Sequence, residues 1–181
     1  MIHGRRGWHL ASNEIATVNV PKPQGRYVPA TRSVSTIRTA GMTPRRDGQL
    51  QIVGRVGVEV DVAAARDAAS VAVRNAVVAA RSLLEGGERL RCVEMTVYVA
   101  CSSEFTALSA VADGASDVLA VEFGSEGLPA RSAVGVYALP GGAPVEVALI
   151  AEAVPASGLR SQTSVPEEPA RNERASRRAT P

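Results

Sequence analysis

The stretch from Asp61 to Leu84 constrains this chain more than any other. Val62, Ala65, Ala69, Ala72, Ala76, Ala79 and Leu83 recur at helical spacing on one stripe, with Arg66, Arg74 and Arg81 mainly off it. Asp61 can cap the start by accepting a backbone N–H. Gly86-Gly87 then stops the helix. An alanine stripe lets a helix sit tight against a sheet, because little side chain separates the two backbones. Aromatic residues make up only 3% of the chain while apolar residues make up 45%. The core must therefore be built from Ala, Val and Leu and packed closely.

The remaining segments supply the sheet. Tyr27 to Thr39 is rich in Val, Thr, Ser and Ile and predicts one or two strands. Arg45-Arg46-Asp47-Gly48 reads as a turn with Asp-Gly as its hairpin signal, followed by a short extended piece over Gln51–Val56. Leu90 to Ala100 alternates, which puts Val93, Met95, Val97 and Val99 on one face and Glu94, Thr96 and Tyr98 on the other. Ser102 or Ser103 can cap a second helix running to about Phe123. Ser132–Ala138 and Val145–Ala153 predict two further strands, joined by a hairpin turn at Pro140-Gly141-Gly142. The expected fold class is α+β, a mixed sheet with two helices packed on one face. The other sheet face needs a cover, and self-association is the expected one.

Length predicts one domain, residues 21–154, preceded by a loosely attached segment over 1–20. Residues 155–181 are rich in Pro, Ser, Arg and Glu and predict a disordered basic tail. That tail holds Arg160, Arg171, Arg174, Arg177 and Arg178 against Glu167, Glu168 and Glu173, which is the whole formal charge excess of +2. The rest of the chain balances to zero, so nucleic acid is not the domain's expected partner. Cys92 and Cys101 would lie roughly 30 Å apart on one extended strand, so they cannot pair there. Unpaired cysteines, no long apolar run and no secretory pattern together predict a cytoplasmic protein with no membrane association.

His3 and His9 are the only histidines, and both lie in the weak N-terminal segment without ligand-type neighbours. No metal site is expected, and a Ser–His–Asp triad has no histidine to use. No Gly-x-Gly-x-x-Gly or P-loop pattern follows a strand, so no nucleotide cofactor is expected. Chemistry must run on arginine, carboxylate, tyrosine and backbone. Arg131 stands where a proline-led loop enters a strand, in Leu128-Pro129-Ala130-Arg131-Ser132. It is either an anion reader, whose planar fork suits a carboxylate, or an ordinary salt-bridged residue. Glu146 shares a strand face with Ala148, Ile150 and Glu152. It is either a strand-end glutamate in solvent or a carboxylate beside an active-site water. Tyr27 is either a packing tyrosine or one whose hydroxyl orients a substrate. Asp113-Gly114 interrupts the second helix at a cost of about 1 kcal/mol for the glycine, which calls for a packing or site reason or a surface kink.

In order along the chain, Gly25-Arg26-Tyr27-Val28, Ala40-Gly41-Met42-Thr43-Pro44, Pro129-Ala130-Arg131-Ser132-Ala133-Val134 and Val145-Glu146-Val147-Ala148 resemble the YjgF/Rid family. These are reactive-intermediate (enamine/imine) deaminases, also described as endoribonuclease L-PSP. The likeness spans about residues 21–153. Asp113-Gly114-Ala115-Ser116 looks most like the subgroup of chorismate-mutase-like endoribonucleases. The resemblance implies a chorismate-mutase-like fold and a homotrimer with clefts between subunits. It implies that Arg131 binds a substrate carboxylate, that Glu146 sits near the attacking water, and that Tyr27 is the family tyrosine. Asp113 falls close to a family asparagine, and Ser132 and Ala40 belong to the substrate-binding elements. Ala40, Met42, Ala133 and Ala148 replace the family's serine, glutamine, cysteine and second carboxylate. The implied activity is cofactor-free hydrolysis of an enamine or imine carboxylate to a 2-oxoacid and ammonia. The alternative is a non-catalytic small-carboxylate-binding trimer, with RNA cleavage ranked below both.

Overall fold

A computed structural model describes residues 20–156. Its elements in chain order are β1 (Ala30–Ser33), β2 (Thr36–Thr39), β3 (Arg45–Arg46), β4 (Gln49–Leu50), α1 (Val62–Arg81), β5 (Glu88–Ala100), α2 (Leu108–Phe123), β6 (Ala130–Val136) and β7 (Val145–Pro155). Five strands form one sheet in the order β1-β2-β7-β5-β6, and β3 and β4 form a separate small hairpin. Only β5 and β6 run parallel; the other neighbours are antiparallel. The predicted segment 1–20 (but for Val20) and the predicted tail beyond Ala156 lie outside the described residues.

Both helices pack on one face of the sheet, as the alanine stripe requires. Asp61 caps α1 through Oδ1, which accepts the Ala64 N–H at 2.8 Å. Ala65, Ala68, Ala69, Ala72, Ala76, Ala79 and Ala80 are all buried on its inner side. The small side chains let α2 cross α1 so closely that a Cβ on Gly114 would lie 2.2 Å from the Arg66 carbonyl oxygen. Gly114 is thus required by packing, which answers the Asp-Gly question posed by the sequence. Ser70 seals the crossing by donating to the Gly114 carbonyl at 2.8 Å. Ile37, Met95, Leu119 and Leu149 are the bulkiest fully buried side chains, each contributing about 1.5–3 kcal/mol by leaving water.

Four local expectations need correction. β6 and β7 are not a hairpin: both flank β5, and the Pro140–Gly142 turn carries the chain across the end of that strand. The helix α2 crossover makes β6 parallel to β5, which leaves β7 to take the other side. Val93 is 41% exposed rather than buried with Met95. A register shift between Cys92 and Glu94 inserts a residue, so Leu90 and Cys92 face the core before it and Met95, Val97 and Val99 after it. Neither Ser102 nor Ser103 caps α2, which begins after Ala107 with no side-chain cap. The extended piece predicted over Gln51–Val56 reduces to β4 ending at Leu50 and an isolated bridge at Val56. The Asp-Gly signal does hold, with Asp47 and Gly48 at φ of 52° and 80° as a two-residue hairpin turn demands.

Candidate functional site

Strand register decides where the candidate side chains go. Arg131 on β6 aligns with Met95 of β5, so it leaves the sheet on the helix-covered face. There α2 meets it with Ser109, Asp113 and Ser116, spaced to lie on one helical stripe. The Arg131 Nη1 donates to Asp113 Oδ1 and Ser116 Oγ, both at 2.8 Å, and Nη2 donates to Ser109 Oγ at 2.8 Å. Asp113 is held from behind by Arg66 of α1, whose Nη1 lies 3.7 Å from its Oδ2. Arg66 also donates to Asp117 at 2.7 Å and to the Ala110 carbonyl at 2.8 Å. The close helix crossing at Gly114 therefore places a carboxylate between two guanidinium groups.

A guanidinium carries five N–H donors. Both on Nη1 and one on Nη2 are used, which leaves Nε–H and the second Nη2–H. Among the described residues nothing accepts from these two. Nε and Nη2 share one edge of the guanidinium, from which a carboxylate can be gripped through two parallel bonds. Arg131 is thus both of the things its sequence context allowed. It is salt-bridged and only 22% exposed in its side chain, and it keeps a two-donor edge.

Glu146 lies on the opposite face. It aligns with Tyr98 of β5 and projects from the side of the sheet that carries no helix. The segment Ala40-Gly41-Met42 runs beside it: Met42 and Val147 exchange both backbone hydrogen bonds at 2.8 and 2.9 Å. Gly41 has no side chain because the Glu146 carboxyl occupies that space; a Cβ there would be 1.9 Å from Oε1. Burial pushes the Glu146 carboxyl above the ordinary carboxylate range, and among the described residues no hydrogen bond stabilises its charge. Ala40 donates its N–H to the Pro29 carbonyl at 2.8 Å, which ties the Tyr27 turn to the same strip of backbone. Tyr27 itself is 48% exposed, and its hydroxyl accepts the Gln24 N–H at 3.1 Å. Ser132 aligns with Thr96 and so shares the open face with Glu146, not the face of Arg131.

The structure therefore brings Arg131 together with Asp113, and Glu146 together with Gly41 beside Ala40. It does not bring Arg131 and Glu146 together within one chain. Two concavities of about 600 and 300 Å³ are lined by neither of them, nor by Tyr27. Ser109, Ser116 and Arg66 were missed by sequence reasoning. The signal available for the serines was their spacing from Asp113 along one stripe of the helix.

The model of the family described as Endoribonuclease L-PSP matches residues 17–153. The chain is 36% identical over 132 residues to Protein TCP17 of Trypanosoma cruzi, covering 72% of this chain and 82% of the relative. Among solved structures, the protein Atu1372 of Agrobacterium tumefaciens, of unknown function, is 35% identical with a TM-score of 0.67, covering 71% of this chain and 82% of its own. A protein of Shewanella oneidensis described as "a putative endoribonuclease" is 26% identical with a TM-score of 0.68, covering 74% and 89%. TdcF of Escherichia coli, solved with bound serine, is 25% identical with a TM-score of 0.53, covering 75% and 94%.

Proposed function

Since the chain belongs to the Endoribonuclease L-PSP (YjgF) family, we propose that it hydrolyses a reactive enamine or imine carboxylate, of the 2-aminoacrylate or 2-iminoacid type, to a 2-oxoacid and ammonia. The observation that carries this reading is the unused two-donor edge of Arg131. The reaction would occur in clefts between the copies of a homotrimer. The helix-free face bearing Glu146 is the surface such an assembly would cover, and the opposed placement of Arg131 and Glu146 is what a cleft shared by two copies would need. The serine bound to TdcF is consistent with an amino-acid carboxylate as ligand in this family.

Arg131 would grip the substrate carboxylate and fix the adjacent carbon. An enamine substrate first takes a proton from water at its terminal carbon and gives one up to water from its nitrogen, becoming the imine. Water then adds to the imine carbon: its oxygen forms the new C–O bond while Glu146 takes a proton from it and the nitrogen gains one. The resulting carbinolamine loses ammonia as the C–N bond breaks: Glu146 gives its proton to the leaving nitrogen, and the hydroxyl proton passes to solvent as the carbonyl forms. A carboxyl held above its usual range by burial is a better acceptor for this step at neutral pH. Positioning and one acid–base group suffice for an intermediate that is already reactive.

The test is ammonia or 2-oxoacid release from freshly generated 2-iminoacid. Arg131→Ala should lose about 100-fold or more in kcat/KM, the scale of a lost charge-assisted bidentate contact. Equal acceleration by wild type and variant would sink the reading. A second reading, a binder that does not turn its ligand over, is favoured by Ala40, Ala133 and Ala148, which offer the ligand no side-chain hydrogen bond. It predicts Arg131-dependent binding of a 2-oxoacid by calorimetry with no product. RNA cleavage, suggested by the family description, draws the least support, because residues 20–156 carry no excess positive charge with which to hold a polyanion.

A further inference from the structure

The cavity of about 600 Å³ is lined by none of the residues of the proposed deaminase site. Its walls are Val20–Lys22, the β3–β4 hairpin and the middle of α1, including Val71, Arg74 and Asn75. Lys22, Arg45, Arg46 and Arg74 line it against one carboxylate, Asp47. Over residues 20–156 the chain carries one more acidic than basic side chain, 14 against 13, so this is a local concentration of positive charge on a nearly neutral domain. Five arginines elsewhere are neutralised: Arg32, Arg66, Arg81, Arg91 and Arg131 each hold a carboxylate. Among the described residues none of the four cations in the cavity does.

The walls are also braced. Asn75 spends both Nδ2 protons on the backbone of the hairpin, donating to the Thr43 carbonyl at 3.1 Å and the Arg45 carbonyl at 2.9 Å. Arg45 is fixed by donating to Thr43 Oγ1 at 3.2 Å and to the Gly48 carbonyl at 2.8 Å, which leaves three of its five donors unused. A braced fork such as that of Arg45 loses little freedom on meeting a ligand. Val20, Pro21 and Val71 add an apolar flank.

We propose that this cavity is a second ligand site, for the phosphoryl or diphosphoryl group of a small phosphorylated molecule. Three arginines and a lysine exceed what one carboxylate can balance, whereas a diphosphate carries enough charge and enough oxygens for several forks. The volume is that of a small-molecule site. A nucleic acid fits less well, because the cations sit in one concavity instead of along a stripe and no aromatic side chain lines it for base stacking.

Isothermal titration of the full chain with inorganic pyrophosphate tests this. Wild type should bind, and Arg46→Ala/Arg74→Ala, two exposed positions remote from Arg131 and Glu146, should bind roughly 10-fold or more weakly. Equal binding by both proteins would place the anion elsewhere, for instance on the arginines of the C-terminal tail, and overturn the proposal. Absence of binding at millimolar pyrophosphate would overturn it too. So would a short oligouridine that binds through Arg46 and Arg74 without being displaced by pyrophosphate. Iminoacid hydrolysis should be unchanged in the double variant, so this result and that of Arg131→Ala stand apart.

Discussion

The two sheet faces handle their charged residue in opposite ways. On the helix-covered face, Arg131 is surrounded by acceptors: Asp113, Ser109 and Ser116 take three of its donors, and Arg66 steadies Asp113 from the far side. On the open face, Glu146 is pressed over Gly41 and held partly out of water, with no hydrogen bond to its carboxyl among the described residues. One charge is fixed and paired with donors to spare; the other is partly desolvated and unpaired among the described residues. Binding needs the first condition, since a preorganised fork loses little on meeting its ligand. Proton transfer needs the second, since a carboxylate already satisfied by donors would be a poor base. Each half carries one part of the proposed chemistry and neither carries both.

Each half also rests on one glycine, and the two glycines should fail differently. At Gly114 the obstacle is the Arg66 backbone, which cannot swing aside. Gly114→Ala gains about 1 kcal/mol of helix propensity but forces α1 and α2 apart, for which overpacking costs of about 1–3 kcal/mol or more are typical. Urea unfolding should show a net loss of stability, with Arg131 loosened in consequence. At Gly41 the obstacle is the flexible Glu146 side chain. Gly41→Ala should change stability by less than about 1 kcal/mol while turnover falls roughly 10- to 100-fold, as Glu146 is turned away. If Gly41→Ala unfolds the protein instead, Gly41 is a structural residue and the contrast between the faces is lost.

A smaller effect concerns pH. Burial raises the Glu146 pKa above its ordinary value of 4.5. The folded state therefore binds the proton more tightly than the unfolded chain. The stability that this group contributes is present below its ordinary pKa and is lost as pH rises through the raised one. Glu146→Gln should remove that fall in denaturation scans from pH 4 to 8. The acid limb of the wild-type rate profile should likewise lie above 4.5. A wild-type limb at or below that value would mean that the carboxylate is better solvated than its place over Gly41 implies.

Sequence reasoning reached the helix stripes, the strand periods and the Asp-Gly turn because these are local. It missed phase and neighbourhood. Alternation through Val93 is unbroken in the sequence, yet the extra residue between Cys92 and Glu94 turns Val93 outward. The Pro140-Gly141-Gly142 signal marks a turn but not which strands it joins, and β5 lies between them. The same limit applies to the site. Arg131 and Glu146 were each recognisable, but their opposite faces follow only from register with Met95 and Tyr98. Asp113 as the partner of Arg131 depends on how closely α2 crosses α1, which Gly114 permits and no periodicity reveals.

The central claim is that Arg131 and Glu146 are halves of one site completed between copies of the chain. Mixing Arg131→Ala and Glu146→Gln proteins, each inactive alone, and letting the subunits reassort tests it directly. If each cleft takes its arginine from one copy and its glutamate from the next, random one-to-one assembly should restore about one quarter of the wild-type clefts and of the wild-type rate. A mixture as inactive as its two components would contradict the account.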